Sequence, residues 1–231
     1  MTVTAQPLAP VVERLRTIAE SQPRSDGVVC FARLYLEVTE GVAERLRGVA
    51  FTDPAFLARL DVVFADRFFT GLETSRAWAP LLEARRRKRI APIQFAIAGM
   101  NAHINADLPV ALVATCTELK LELEPQHADF LRINTVLREV EAAVREEYVP
   151  RRLRFLDRIL HRFDKVDDVI ATWSVERARD AAWVNAEALW ALRGEPELSG
   201  RFVEALDRSV GLAGRGLLLP VDSLLARLAR L

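Results

Sequence analysis

The segment from Pro92 to Thr115 is the part of the sequence that most limits what the chain can fold into. Its apolar residues recur around most of the circumference of an α-helix, instead of lying along one face. A helix of this kind is normally surrounded by other helices, because each apolar side needs a neighbour that covers it. The segment therefore predicts a central helix inside a bundle.

Polar residues lie on two opposite ridges of this predicted helix. At about 3.6 residues per turn, Gln94, Asn101 and Asn105 share a narrow arc. His103 and Asp107 lie together on nearly the opposite side. An unpartnered buried amide loses on the order of a few kcal/mol, and an isolated carboxylate loses far more. Each of these side chains therefore needs a protein partner, a metal ion or a ligand.

Pro109 adds a break in the same helix. Proline has no backbone N–H, so the carbonyl of Asn105, four residues earlier, loses its helical hydrogen bond. This predicts a spare acceptor beside the polar residues.

The rest of the sequence predicts about eight or nine helices in a single domain of residues 1–231. Apolar side chains recur at helical spacing from end to end, and Pro and Gly mark where helices stop. Thr52 or Asp53 is predicted to cap a helix that begins at Pro54. Nowhere do β-branched residues alternate with polar ones over five positions. We predict an all-α, single-domain multi-helix bundle around the central helix.

The last part of the chain is predicted to be interrupted. Gly211, Gly214, Gly216 and Pro220 separate a helix at Glu197–Val210 from a small closing helix at Val221–Leu231. The closing helix would present a leucine face that could dock a partner protein or a second copy, and a homodimer is one interpretation. This face consists of Leu224, Leu225, Leu228 and Leu231.

Composition narrows the classes of partner. Lys plus Arg equals Asp plus Glu at 32 each, so no net field attracts nucleic acid or an anionic membrane. No run of about eighteen apolar residues and no secretory signal occurs, which predicts a cytoplasmic protein without membrane attachment. Cys30 and Cys116 lie in apolar helical patterns and are predicted to be buried free thiols.

A family resemblance rests on the central segment. The sequence APIQFAIAGMNAHINADLPVAL, starting at Ala91, resembles the signature of a bacterial all-helical family known as a domain of unknown function, DUF5995. The resemblance extends to the residues FARLYLEVT from Phe31, WAPLLE from Trp78 and DFLRIN from Asp129. It covers most of the chain and implies the helical fold, and it implies no particular chemistry.

Two functions are compatible with the polar ridges. The first is an enzyme acting on a small organic molecule in a polar pocket, with His103 as acid or base and Asp107 orienting it. Asn101 and Asn105 would then bind polar groups of the substrate or a metal-bound water. The alternative is a non-catalytic ligand-binding or protein-assembly module, in which the same side chains form an internal network that fixes helix register.

Metal binding is a variant of the first function. His103 with Asp107, and Asp157 with His161, each place a carboxylate and an imidazole four residues apart, where they can share one divalent ion. Simple ion pairing explains the same spacing. No cofactor is identified by the sequence.

Three further residues are candidates for contact with a ligand. Gln94 is predicted to contact a ligand, and Trp173 and Arg177 stand at near-helical spacing where they could line a pocket. Aromatic residues at this spacing are more often part of a core. No phosphate-cradling loop is present, because the glycines near Gly211 lack a lysine and a preceding strand, so no nucleotide is expected.

Overall fold

The computed structural model of the chain describes residues 8–21, 23–45, 51–135, 137 and 174–220, and all regular structure within them is helical. The prediction of an all-α multi-helix domain is confirmed for these residues. Nine α-helical segments are described: α1 (Ala9–Ser21), α2 (Gly27–Arg45), α3 (Pro54–Thr74), α4 (Ala79–Ala84), α5 (Pro92–Ala102), α6 (Leu108–Leu119), α7 (127–135), α8 (Val175–Ala191) and α9 (Pro196–Leu217).

The central helix is confirmed, and it consists of α5 and α6 joined by a π-helical turn at His103–Asp107. In this turn the backbone N–H of Leu108 donates to the carbonyl of His103, five residues earlier. The wider turn lies next to Pro109, whose ring would clash with a carbonyl in a regular α-helix. The helix therefore continues past Pro109 with a local bulge, where the sequence predicted a break.

Neighbouring helices cover both halves of this central helix. Helix α5 packs against α2 and α9, and α6 packs against α3 and α8. Gly99 lets α2 approach closely, because a Cβ there would lie 2.4 Å from the ring of Phe31. The two larger apolar cores lie one against each half of the central helix, and both contact Met100.

Helix α3 begins as the sequence predicts. The Asp53 side chain accepts from the backbone N–H of Phe56, and Pro54 occupies the first helical position. The Asp129 carboxylate accepts from the backbone N–H groups of Thr52 and Asp53 at 3.0 and 2.7 Å. The start of α3 is thereby fixed against the start of α7.

Helix α9 differs from the prediction, because it continues through all three glycines to Leu217. A Cβ at Gly211 would lie 2.4 Å from the carbonyl oxygen of Arg76, so this glycine permits a close helix approach and does not end the helix. The Asp207 carboxylate accepts from the Ser75 hydroxyl and from the backbone N–H groups of Arg76 and Ala77. The predicted interruption at Gly211 is wrong, and the predicted closing helix lies outside the described residues.

In the part of the chain that the structure describes, no helix has both the length and the apolar character needed to cross a bilayer.

Candidate functional site

The first polar ridge of the central helix holds α9 in place. Gln94 Nε2 donates to the carbonyls of Leu217 and Leu219, both at 2.9 Å, and its Oε1 accepts from the backbone N–H of Ala91. Asn101 Nδ2 donates to the Val210 carbonyl at 3.1 Å.

Asn105 completes this ridge, since its Nδ2 donates to Asn101 Oδ1 at 3.2 Å. Gln94 and Asn101 are buried, as the wheel predicts, and Asn105 is half-buried. The partners of all three amides are groups of the protein itself, and none of the three lines the cavity described below. Their contacts fit the register function that the sequence left open.

The second ridge forms a buried hydrogen-bonded group around Asp107. His103 Nδ1 lies 3.1 Å from Asp107 Oδ2, and Trp78 Nε1 donates to the same oxygen at 3.0 Å. Arg67 Nε lies 3.9 Å from the other oxygen, Oδ1. A carboxylate oxygen accepts hydrogen bonds, so we assign the proton of the neutral imidazole to Nδ1. Nε2 then carries the free lone pair.

Aromatic rings enclose the imidazole of His103. The ring of Phe64 stacks on it with centroids 3.6 Å apart and planes at 3°, and the ring of Tyr35 contacts it edge-on at 4.6 Å. His103 is 3 % exposed, and its Nε2 has no hydrogen-bond partner within the described structure. An enclosed ring nitrogen without a partner is unusual, because buried polar atoms are nearly always satisfied.

Burial lowers the pKa of His103 below its ordinary value, because the charged form loses its hydration. The hydrogen bond and the charge of Asp107 act in the opposite direction, and the charge of Arg67 acts with burial. Burial is the largest of these effects, so the imidazole is neutral at neutral pH.

His103 also lines a cavity of about 170 Å³ between the helices. The cavity is predominantly apolar, whereas the sequence predicted a polar pocket. Helices α1, α2, α3, α7 and α8 and the central helix all contribute to its walls. Its main apolar lining residues are Phe31, Leu34, Leu57, Leu60, Phe64, Ile97, Met100, Ile104, Leu108 and Phe130.

Two charged side chains, Asp61 and Arg179, interrupt this apolar lining. Burial raises the pKa of Asp61 to about 7, although the charge of Arg179 opposes the shift. Burial likewise lowers the pKa of Arg179 to about 10, against the charges of Asp61 and Asp180. Arg179 therefore remains charged near neutral pH, while Asp61 exchanges its proton there.

The remaining candidate residues are not brought to this site. Arg177 is exposed on α8, and Trp173, Asp157 and His161 lie outside the described residues. Among the described residues no group of three or more His, Cys, Asp or Glu side chains could hold a metal ion. Metal binding by His103 and Asp107 stays a prediction, and in the structure these two side chains are joined directly to each other.

A family model described as a family of unknown function, DUF5995, matches residues 8–220 of the chain. The chain belongs to the DUF5995 family. No curated protein and no solved structure matches it at a significant level. The family assignment confirms the resemblance carried by the central segment, and the function of this DUF5995 protein has to be argued from its own geometry.

Three groups of the site were not predicted from the sequence. Asp61 lies on the apolar ridge of α3 with Leu57, Leu60 and Phe64, and Arg179 lies one turn from Val175 on the buried side of α8. A charged residue at a core position of a helical pattern was the available signal. Trp78, the donor to Asp107, had no comparable signal, because its indole N–H reaches the site only through the packing of the turn before α4.

Proposed function

We propose that the protein is an enzyme that acts on a small, largely apolar organic molecule in the cavity, with His103 as general base. The observation that supports this proposal is the enclosed and unpaired Nε2 of His103, a residue that lines the cavity. A base in this position removes a proton from the bound molecule, and a histidine in such a role typically accelerates a reaction by about 10²–10⁴-fold.

Asp107 is the orienting group in this proposal. It accepts from Nδ1–H and so keeps the lone pair of the imidazole on Nε2. Trp78 Nε1 donates to the same oxygen and further fixes the carboxylate. When Nε2 takes up a proton, the adjacent negative charge of Asp107 stabilises the imidazolium, as in other carboxylate–histidine pairs.

Cavity size and lining define the substrate class. An apolar cavity of about 150 Å³ is large enough for benzene, and the cavity here has about 170 Å³. We therefore expect a body of one aromatic ring or a short branched chain, with few polar groups. Exclusion of water by the apolar walls would strengthen the interaction between His103 and the reacting proton.

The test is a base-catalysed ring opening of benzisoxazole. In this reaction a base removes the ring C–H proton, the N–O bond breaks, and cyanophenolate is released and followed by its ultraviolet absorbance. We expect turnover by the full chain, with a rate that rises as pH passes the lowered His103 pKa and is flat above it.

The decisive variant is His103→Asn, because its side-chain amide can still donate to Asp107 while Nε2 is removed. We expect a loss of about a hundredfold or more in rate. His127→Asn is the matched control, since His127 stacks on Trp183 and does not line the cavity. Equal rates for wild type and His103→Asn, or no turnover by either, would overturn the proposal.

A second candidate is a non-catalytic ligand-binding module. It is favoured by the amides of Gln94, Asn101 and Asn105, which are all engaged by the protein itself. Benzisoxazole that binds in the cavity without turnover would support this candidate.

A cytoplasmic location is also part of our proposal. Both cysteines, Cys30 and Cys116, are free and buried, which fits a reducing compartment. Burial is the largest effect on each thiol and raises both pKa values to about 11. The thiols are therefore not nucleophiles at neutral pH. A homodimer through the leucine face of residues 221–231 stays a prediction, because that face lies outside the described residues.

A further inference from the structure

Arg179 is a charged group that lines the cavity without a carboxylate bonded to it. The residue is 7 % exposed. Its Nε donates to Asn134 Oδ1 and its Nη2 donates to the Phe130 carbonyl at 3.0 Å, and both acceptors are neutral. The guanidinium also lies over the Phe130 ring, 4.0 Å from its centroid. These contacts fix its orientation and leave its charge unpaired.

Asp61 is the carboxyl group whose charge acts most strongly on Arg179, yet the two do not bond. Within the described residues the Asp61 carboxyl has no hydrogen-bond or ion-pair partner, although it lines the same cavity as Arg179. An arginine carries five N–H donors, and the two bonds to Asn134 and Phe130 use two of them. Further donors are therefore available for a ligand.

We infer that the cavity takes a small organic acid as its carboxylate anion, held by Arg179, and that Asp61 is protonated when the anion binds. This inference rests on the proposed function, because it concerns the ligand of the same cavity. Guanidinium matches the planar geometry of a carboxylate and binds it with two parallel hydrogen bonds. The apolar walls around the two charges would cover the hydrocarbon body of the acid.

Protonation of Asp61 decides the sign of the ligand charge. Arg179 stays charged at neutral pH, whereas the pKa of Asp61 is about 7 because burial raises it. Below pH 7 the cavity therefore carries the positive charge of Arg179 alone. An anion restores neutrality in a region where an uncompensated charge is unfavourable.

Tyr35, His103 and Arg179 are the other titratable side chains that line the cavity with Asp61. Tyr35 on α2 is kept neutral because burial, and then the charge of Asp61, raises its pKa well above the ordinary value. His103 on the central helix is neutral because burial lowers its pKa. Asp66 lies on α3 itself and is exposed. Asp61, with a pKa of about 7, is the described group of the cavity that we expect to change its protonation between pH 6 and pH 8.

The experiment compares benzoate, benzamide and benzylamine, which share one ring and differ in charge. Calorimetric titration of the full chain at pH 6 and pH 8 measures each affinity. We expect benzoate to bind more tightly than benzamide at pH 6. With an Asp61 pKa of about 7, uptake of one proton makes benzoate binding about tenfold weaker at pH 8 than at pH 6. Benzoate itself is ionised at both values.

Two variants test the roles of the charged side chains. Asp61→Asn should remove the pH dependence and keep the pH 6 affinity of benzoate at pH 8. Arg179→Gln should remove the preference for benzoate over benzamide, with benzamide binding as the check that the cavity is intact. Arg177→Gln, an exposed position two residues away on α8, is the matched control. Should Arg179→Gln fail to fold, the pH dependence of benzoate binding by Asp61→Asn decides whether the inference holds.

The outcomes separate this inference from the proposed function. Benzamide bound as tightly as benzoate at pH 6, or benzylamine bound most tightly, would overturn the inference and leave the cavity as a ligand site. A pH dependence that persists in Asp61→Asn would also overturn it. If none of the three compounds binds while benzisoxazole is turned over, only the inference is lost. If benzisoxazole is inert as well, both are lost.

Discussion

The imidazole of His103 lies flat on the ring of Phe64, with 3.6 Å between centroids and 3° between planes. Phe64 and His103 both line the cavity, so the stacked pair is part of its wall. The stack restricts the orientation of the imidazole, and it keeps water from the nitrogen that the Asp107 hydrogen bond leaves free. This contact connects the protonation of His103 to the packing of α3.

Phe64→Leu should therefore raise the pKa of His103 towards its ordinary value. Burial is the largest cause of the lowered pKa, and a smaller side chain admits water to the imidazole. The loss of packing should destabilise the protein by roughly 1–3 kcal/mol. An NMR pH titration of the imidazole measures the shift. Phe69→Leu is the control, because Phe69 packs on Phe68 and Arg14 and has no ring contact with His103. An unchanged His103 pKa in Phe64→Leu would contradict the explanation.

Asp61→Asn should stabilise the protein, and more at pH 8 than at pH 5. The folded-state pKa of about 7 lies above the ordinary aspartate value of 3.8, so the folded protein binds the proton more tightly than the unfolded chain. Stability from this group is consequently lost as pH rises towards 7. Removing the charge should give a gain on the order of 2 kcal/mol at pH 8.

Denaturant unfolding at the two pH values measures this effect. Asp66→Asn on the exposed side of α3 provides the control and should change stability little at either pH. A destabilised Asp61→Asn at pH 8 would mean that the carboxylate is favourably paired in the folded protein.

Trp78→Phe should weaken the buried group around Asp107. The substitution keeps an aromatic ring but removes the N–H that donates to Asp107 Oδ2 at 3.0 Å. Loss of a donor to a buried carboxylate should destabilise the protein by about 1–3 kcal/mol. Trp183→Phe is a matched comparison, because Trp183 donates to the exposed Glu187, which can bind water instead. Thermal unfolding of both variants should give the larger decrease for Trp78→Phe, and equal decreases would argue against the importance of burial at Asp107.

Gly211→Ala and Gly216→Ala should have opposite effects on stability. A Cβ at Gly211 meets the Arg76 carbonyl oxygen at 2.4 Å, and this backbone group cannot move without displacing the turn before α4. We expect a loss of about 1–3 kcal/mol from the overpacked contact. A Cβ at Gly216 meets nothing within 4 Å, so alanine should stabilise α9 by about 0.5–1 kcal/mol. Similar unfolding midpoints for the two variants would contradict the close helix approach.

The central helix could be predicted because its signal is local. Apolar residues around the whole circumference required neighbours on every side, and the burial of Gln94, Asn101, His103 and Asp107 followed from that requirement. The Asp53 cap and Pro54 were likewise visible in a few consecutive residues.

Features that depend on contacts between distant segments could not be predicted from these patterns. Gly211 has the same local signal whether it ends a helix or allows one to approach a carbonyl of another segment. The apolar cavity exists only where six helical segments meet, so its walls are not a property of any one helix. Asp61 and Arg179 could have been noticed as charges at core positions, but their common location depends on how α3 and α8 both pack against α6.

A π turn is equivalent to one residue inserted into an α-helix. The side chains before and after the turn therefore follow two different rotational positions around the helix axis. Residues after Asp107 are offset by about 100° from the positions that a uniform wheel assigns to them. The half that carries Gln94 and Asn101 can therefore keep its alignment with α9 while the half from Leu108 onward is aligned separately with α3 and α8. Removing one residue between His103 and Asp107 would restore a regular helical ladder and leave both alignments in place. His103 and its carboxylate partner would then lie three residues apart, a spacing at which helical side chains still meet, so the inserted residue sets the spacing of the pair and not its existence.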